Sequence, residues 1–150
     1  MKTLQIIIDT REQTPWQFPR EWRGYQITTQ RGTLAFGDYT LAGFEDRVFI
    51  ERKSGWDEIA RNVGADRDRF HREFEKARNC EIKQLIICET REVITMGTLR
   101  TRVHPNALWG SVMSFCERYG VFLYDARDHH AGMIHCLGVL RRFMERQDSP

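Results

Sequence analysis

No stretch of this sequence approaches the run of about 20 apolar residues that a membrane-spanning helix needs. The opening Met1-Lys2-Thr3 leads directly into a strand pattern without a secretory signal. Both absences predict an intracellular, cytoplasmic protein, nucleoid-associated if its source is microbial or viral. Cysteine is sparse: Cys80, Cys88, Cys116 and Cys136 lie far apart in apolar-patterned segments and form no C-x-x-C pair. They read as reduced packing residues, with zinc ligation a distant second. Internal repeats, low-complexity segments and Gly-rich phosphate loops are also missing. Lysine is scarce too. Of 23 basic side chains only Lys2, Lys53, Lys76 and Lys83 are lysines. An arginine excess suits planar, bidentate contacts to phosphate or carboxylate, although arginine-rich genomic composition produces the same bias. The net charge of +2 does not by itself announce nucleic acid.

What is present is 150 residues, 41% hydrophobic and 29% charged, which suits one globular domain with a core and leaves no room for a second. Leu4 to Asp9 is a near-continuous apolar run ending in a carboxylate, the way a buried strand delivers a functional group to a sheet edge. Trp16, Phe18 and Trp22 follow in a loop through Arg23. They either stack on unpaired bases or, the favoured reading, cover a core edge. Tyr25 to Arg31 alternates as a strand. Asp38 to Leu41 and Val48 to Lys53 then form an antiparallel pair around a turn at Ala42 to Asp46, which sets Asp38 beside Glu51. Strand periodicity puts Phe49, Glu51 and Lys53 on one face and Val48, Ile50 and Arg52 on the other.

Two carboxylates beside a lysine suit phosphodiester hydrolysis. Hard oxygen ligands hold Mg²⁺ or Mn²⁺ through part of its shell and leave the rest to water and substrate phosphate. The lysine can then orient or deprotonate the attacking water or stabilise transition-state charge. Asp9, Asp38 and Glu51 are the candidate metal ligands and Lys53 the catalytic group.

The longer wording, Gly37-Asp38 followed by Glu51-Arg52-Lys53-Ser54-Gly55-Trp56-Asp57, resembles the GD…ERKxxxD signature of the XPF-family (ERCC4-type) structure-specific endonucleases. Asp9-Thr10-Arg11-Glu12 resembles the family's D-x-R-E segment. Arg69-Phe70-His71-Arg72-Glu73 resembles its arginine-aromatic helix element. The resemblance implies an α/β, restriction-endonuclease-like fold with a central mixed sheet flanked by helices. It adds Asp57, Arg11, Glu12 and Arg52 to the catalytic set and Arg69 and Arg72 as DNA contacts. It also implies cleavage of branched, flap or fork DNA, by a single nuclease domain without the family's tandem helix-hairpin-helix. Two rivals share these residues: a non-catalytic DNA-binding or scaffolding module, and a Holliday-junction resolvase or restriction-type nuclease. The presence of Asp9, Asp38, Glu51, Lys53 and Asp57 together favours an enzyme.

Further along, Ser54 and Asp57 predict a capping box for a helix. Asp66 to Asn79 reads as a helix whose outer charges either follow a DNA backbone or form a solvated face. Gln84 to Thr90 is a strand ending in Glu89, an acid that either joins the site or caps a helix. A short helix at Arg91 to Met96, a basic loop at Leu99 to Pro105, a helix capped by Asn106, a strand at Val121 to Tyr124 and a helix from His129 to Arg146 complete the chain. His129, His130 and His135 read as titratable surface groups. Met133, Ile134, Leu137, Val139, Leu140, Phe143 and Met144 exceed what one helix face can bury. That surplus suggests a partner surface, and the resemblance, to a family whose nuclease domains pair through their C-terminal region, implies a homodimer.

Overall fold

In the computed structural model, which describes residues 1–149, the element order is β1 (Lys2–Asp9), β2 (Glu21–Trp22), β3 (Tyr25–Gly32), β4 (Tyr39–Leu41), β5 (Val48–Lys53), α1 (Trp56–Val63), α2 (Arg67–Lys76), β6 (Ile82–Ile87), a 3₁₀ turn (Arg91–Thr95), α3 (Pro105–Tyr119), β7 (Phe122–Asp125) and α4 (His129–Asp148). The strands form one mixed seven-stranded sheet in the order β2-β3-β1-β4-β5-β6-β7. This is the α/β architecture expected, with helices on both faces.

The register explains how one sheet edge collects functional groups. β4 runs antiparallel to both β1 and β5, pairing Ile8 with Tyr39 and Tyr39 with Ile50. β5, β6 and β7 run parallel. The carboxyl ends of β1, β5, β6 and β7 and the start of β4 therefore share an edge, where parallel α/β sheets usually carry their sites.

Alternation along β5 divides the core. Val48 and Ile50 join Leu4, Ile6, Ile8 and Ile86 beneath α4. Phe49 joins Leu85 and Ile87 beneath α1, α2 and α3, against Phe70, Phe74 and Phe115. Each fully buried aliphatic or aromatic side chain contributes about 1.5–3 kcal/mol.

Several expectations need correcting. The apolar surplus of α4 is absorbed inside the chain: Met133, Leu137, Val139, Leu140 and Phe143 are buried, and Ile134 and Met144 pack against the same core. The sheet face, with Trp16 and Phe44 at its margin, offers α4 more apolar area than a helix read alone suggests. The surplus is therefore accounted for within one copy of the chain. Ser54 does not cap α1. The cap position is Gly55, and Glu89 Oε1 accepts from the Trp56 backbone N–H at 2.9 Å. α3 starts two residues early, with Pro105 at its first position and His104 Nδ1 accepting from the Asn106 N–H at 3.1 Å.

The segment read as loop to Arg23 contains the short strand β2, joined to β3 by Arg23 and Gly24, both at positive φ. That is the two-residue hairpin turn with left-handed central residues. Trp16 covers the core edge as favoured, stacked on Tyr39 at 4.8 Å between centroids. His135 is not a surface group. It lies 3.8 Å from the Tyr124 ring in parallel stacking, with Nε2 3.0 Å from Gln84 Oε1. Burial, then the nearby Arg142, push its pKa down to about 4. All four cysteines are free and buried. No helix among the described residues is long and apolar enough to cross a membrane.

Candidate active site

Two backbone hydrogen bonds draw the site together: Asp9 N–H donates to Asp38 O at 2.8 Å, and Asp38 N–H donates to Ile50 O at 2.9 Å. Asp38 thus sits between the end of β1 and the end of β5. The preceding Gly37 has φ +80°, and a Cβ there would lie 2.9 Å from the Phe49 ring, so this approach needs glycine. Glu73 of α2 fastens the same turn, its Oε1 accepting from the Gly37 N–H at 2.8 Å.

The result is a cavity of about 330 Å³ bordered by Asp9, Asp38, Glu51, Lys53, Asn62 and Glu73, with Arg11 and Arg69 also on its wall. Asp38 and Glu51 hydrogen-bond through their carboxyl groups. Burial first, then the Asp38 charge, raises the Glu51 pKa well above its ordinary value. Burial also raises Asp38, against the Glu51 hydrogen bond and the Arg52 backbone N–H, which donates to Asp38 Oδ2 at 2.8 Å. Lys53 Nζ lies 3.4 Å from Glu51 and 5.4 Å from the Phe70 ring centroid. Burial opposes its ammonium form, but Glu51, Glu58 and Asp38 together hold its pKa above the usual value.

Asp9 is differently engaged. Arg11 Nε donates to its Oδ2 at 2.8 Å and the Leu34 N–H to its Oδ1 at 3.0 Å. Burial works to raise its pKa, and these partners outweigh burial and lower it. Arg11 itself is largely exposed at the rim.

The structure does not bring Glu12 and Arg52 into this cavity. As the alternation of β5 requires, Arg52 points to the opposite face, where Nη2 and Nε bind both Glu12 carboxylate oxygens at 2.8 and 3.0 Å. His129 Nδ1 lies 3.2 Å from the same guanidinium. Asp57 lies outside the cavity wall, its Oδ1 accepting from the Arg100 N–H at 2.8 Å. Arg69 is exposed on the wall and paired with Asp66 at 3.5 Å, and Arg72 is exposed elsewhere on α2. Glu89 caps α1.

Two wall residues escaped the sequence reading. Glu73 was visible as the acid one helical turn beyond Arg69. Asn62 is buried on α1 with no hydrogen-bond partner for Oδ1 among the described residues, and its one signal is a polar residue within an otherwise apolar helix face.

A divalent cation fits this donor set through the facing pair Asp38 and Glu51. No group of three His, Cys, Asp or Glu side chains converges as a ready cage among the described residues. Mg²⁺ needs only one or two carboxylates when water and phosphate complete its shell, and a cation between these two groups offsets the burial that raises both pKa values and the Asp38 charge that raises Glu51 further.

Comparison with known proteins gives the same architecture. XPF from Aeropyrum pernix superposes with a TM-score of 0.67 at 16% identity, covering 93% of this chain and 61% of that one. The same organism's XPF in complex with DNA gives 0.64 at 18% identity, covering 95% and 66%. The fold is XPF-like. A protein of Methanocaldococcus jannaschii, provisionally named an ATP-dependent RNA helicase, is 29% identical over 120 residues, 80% of this chain and 13% of its own length. No protein-family model matches the chain. This chain thus spans a small part of that relative and about two thirds or less of the two solved chains.

Proposed function

We propose that this chain is a metal-dependent endodeoxyribonuclease that hydrolyses phosphodiester bonds in branched, flap or fork DNA. The observation that carries the proposal is the trio Asp38, Glu51 and Lys53, gathered in one cavity at the carboxyl edge of the sheet. The XPF-like fold, seen in one relative in complex with DNA, supports DNA as the partner.

Asp38 and Glu51 would hold Mg²⁺ or Mn²⁺, which when bound would supply Lewis-acid polarisation of the phosphate and a more acidic water. Lys53, whose ammonium form the acidic groups of Glu51, Glu58 and Asp38 favour against burial, acts through its charge, stabilising the negative charge that develops on the phosphoryl oxygens. Asp9, fixed by Arg11 and the Leu34 N–H, completes the acidic wall. Arg11 and Arg69 stand at the rim, where backbone phosphates arrive. Glu12 and Arg52 brace the β1 loop against β5 from behind, and Asp57 secures the Arg100 loop.

The non-catalytic DNA-binding reading draws on one observation, the locking of Asp9 by Arg11. Gel cleavage of flap, fork, four-way and linear DNAs with Mg²⁺ or Mn²⁺, alongside binding of the same DNAs in EDTA, separates the two. Cleavage of branched over linear substrates is expected. Binding without cleavage of any substrate in either metal would leave only the binding module.

A further inference from the structure

Asn62 and Phe70 line the candidate active site and also a second cavity, of about 460 Å³, between α1, α2 and α3. The two spaces share this wall and differ in chemistry. The first is bordered by Asp9, Asp38, Glu51 and Glu73. The second receives Arg67, His71 and Arg118 with the hydroxyls of Ser111 and Ser114, and no carboxylate of the described residues lines it.

His71 Nδ1 is 2.7 Å from the Tyr119 hydroxyl. Burial first, then the charges of Arg118 and Arg67, lower its pKa despite Asp68. Arg67, Arg118 and His71 all line this one space. The α3 wall is open: a Cβ added at Gly110 would meet nothing within 4 Å. In the wall common to both spaces Asn62, 8% exposed, leaves Oδ1 without a partner. Its amide can offer an acceptor or, turned over, a donor.

We propose that this groove seats the phosphodiester adjoining the one cleaved between Asp38 and Glu51, with Arg67 and Arg118 on its oxygens and the Asn62 amide on the neighbouring sugar or base. The inference rests on the nuclease reading and extends it. It gives the nucleic-acid strand a path across α1, from an acidic cavity that needs a cation to a basic one that does not.

The test is fluorescence anisotropy of a labelled fork in EDTA across a salt series, so no cleavage enters the readout. Arg67→Gln/Arg118→Gln should lower the log-log salt slope by ~1.4 to 1.8, at about 0.7 to 0.9 for each lost contact. Gly110→Glu should bind several-fold more weakly than Gly110→Gln, a pair matched in size and differing in charge. Thermal melting establishes that all three variants are folded. Inorganic phosphate at matched ionic strength should not displace the fork. Displacement by phosphate would make this a free-phosphate site and overturn the strand assignment. A parental slope in the double variant, with Gly110→Glu and Gly110→Gln binding alike, would overturn the groove while leaving the nuclease reading intact. A parent chain that binds none of the DNAs would overturn both.

Discussion

Replacing Arg52 by Met should unsettle the fold before it affects chemistry. The Arg52 and Glu12 side chains are only 5% and 10% exposed. Their bidentate pair satisfies both carboxylate oxygens, and the guanidinium also lies 5.8 Å from the Trp16 ring centroid. Removing the cation strands a buried carboxylate, a change that costs about 3–5 kcal/mol. That is a large share of the ~5–15 kcal/mol that holds a domain of this size folded. Replacing both partners, Arg52→Met with Glu12→Leu, strands nothing and should recover most of the loss. Urea unfolding of the parent, both single variants and the double variant measures the coupling directly. A single variant that loses less than about 1 kcal/mol, the range of an exposed pair, yet no longer cleaves DNA would refute the structural role and place Arg52 in the reaction.

Other consequences are local. Glu89→Ala removes the acceptor for the Trp56 N–H and a negative charge from the start of α1, and should cost about 1–2 kcal/mol in urea unfolding. Gly37→Ala combines positive φ with a Cβ 2.9 Å from Phe49, whereas Gly43→Ala has positive φ and open space. The first should lose about 1–3 kcal/mol more in thermal unfolding than the second. His135 has a folded pKa of about 4, below its ordinary 6.5. Its neutral form is favoured by folding, so the stability it contributes is complete above pH 6.5 and declines as pH falls toward 4. Solvent screening limits this to no more than about 2 kcal/mol. His135→Gln, compared with the parent by urea unfolding from pH 7 to pH 4, should lack that decline.

Short-range periodicity carried much of this structure. The alternation from Val48 to Lys53 places Glu51 and Lys53 on one face and Arg52 on the other. The motif resemblance grouped all three, and the sheet separates them. The placement of Asp38 followed from a hairpin legible in its turn. Contacts across long separations left no local mark: Glu89 reaches α1 from 33 residues away, and Glu73 reaches Gly37 from 36. The β2–β3 turn escaped because Arg23 takes a left-handed conformation usually left to Asn, Asp or Gly. The burial of α4 depended on the breadth of sheet beneath it, which no single segment reveals.

The central claim is that Asp38, Glu51 and Lys53 perform metal-dependent hydrolysis. Its most direct test is the single-turnover cleavage rate of fork DNA by Glu51→Gln with Mg²⁺, set against its affinity for the same DNA in EDTA. The account predicts affinity equal to or above the parent, since without metal burial already favours the neutral Glu51 carboxyl that glutamine mimics, and a rate lower by about 10²-fold or more. A Glu51→Gln variant that cleaves at the parental rate would contradict it.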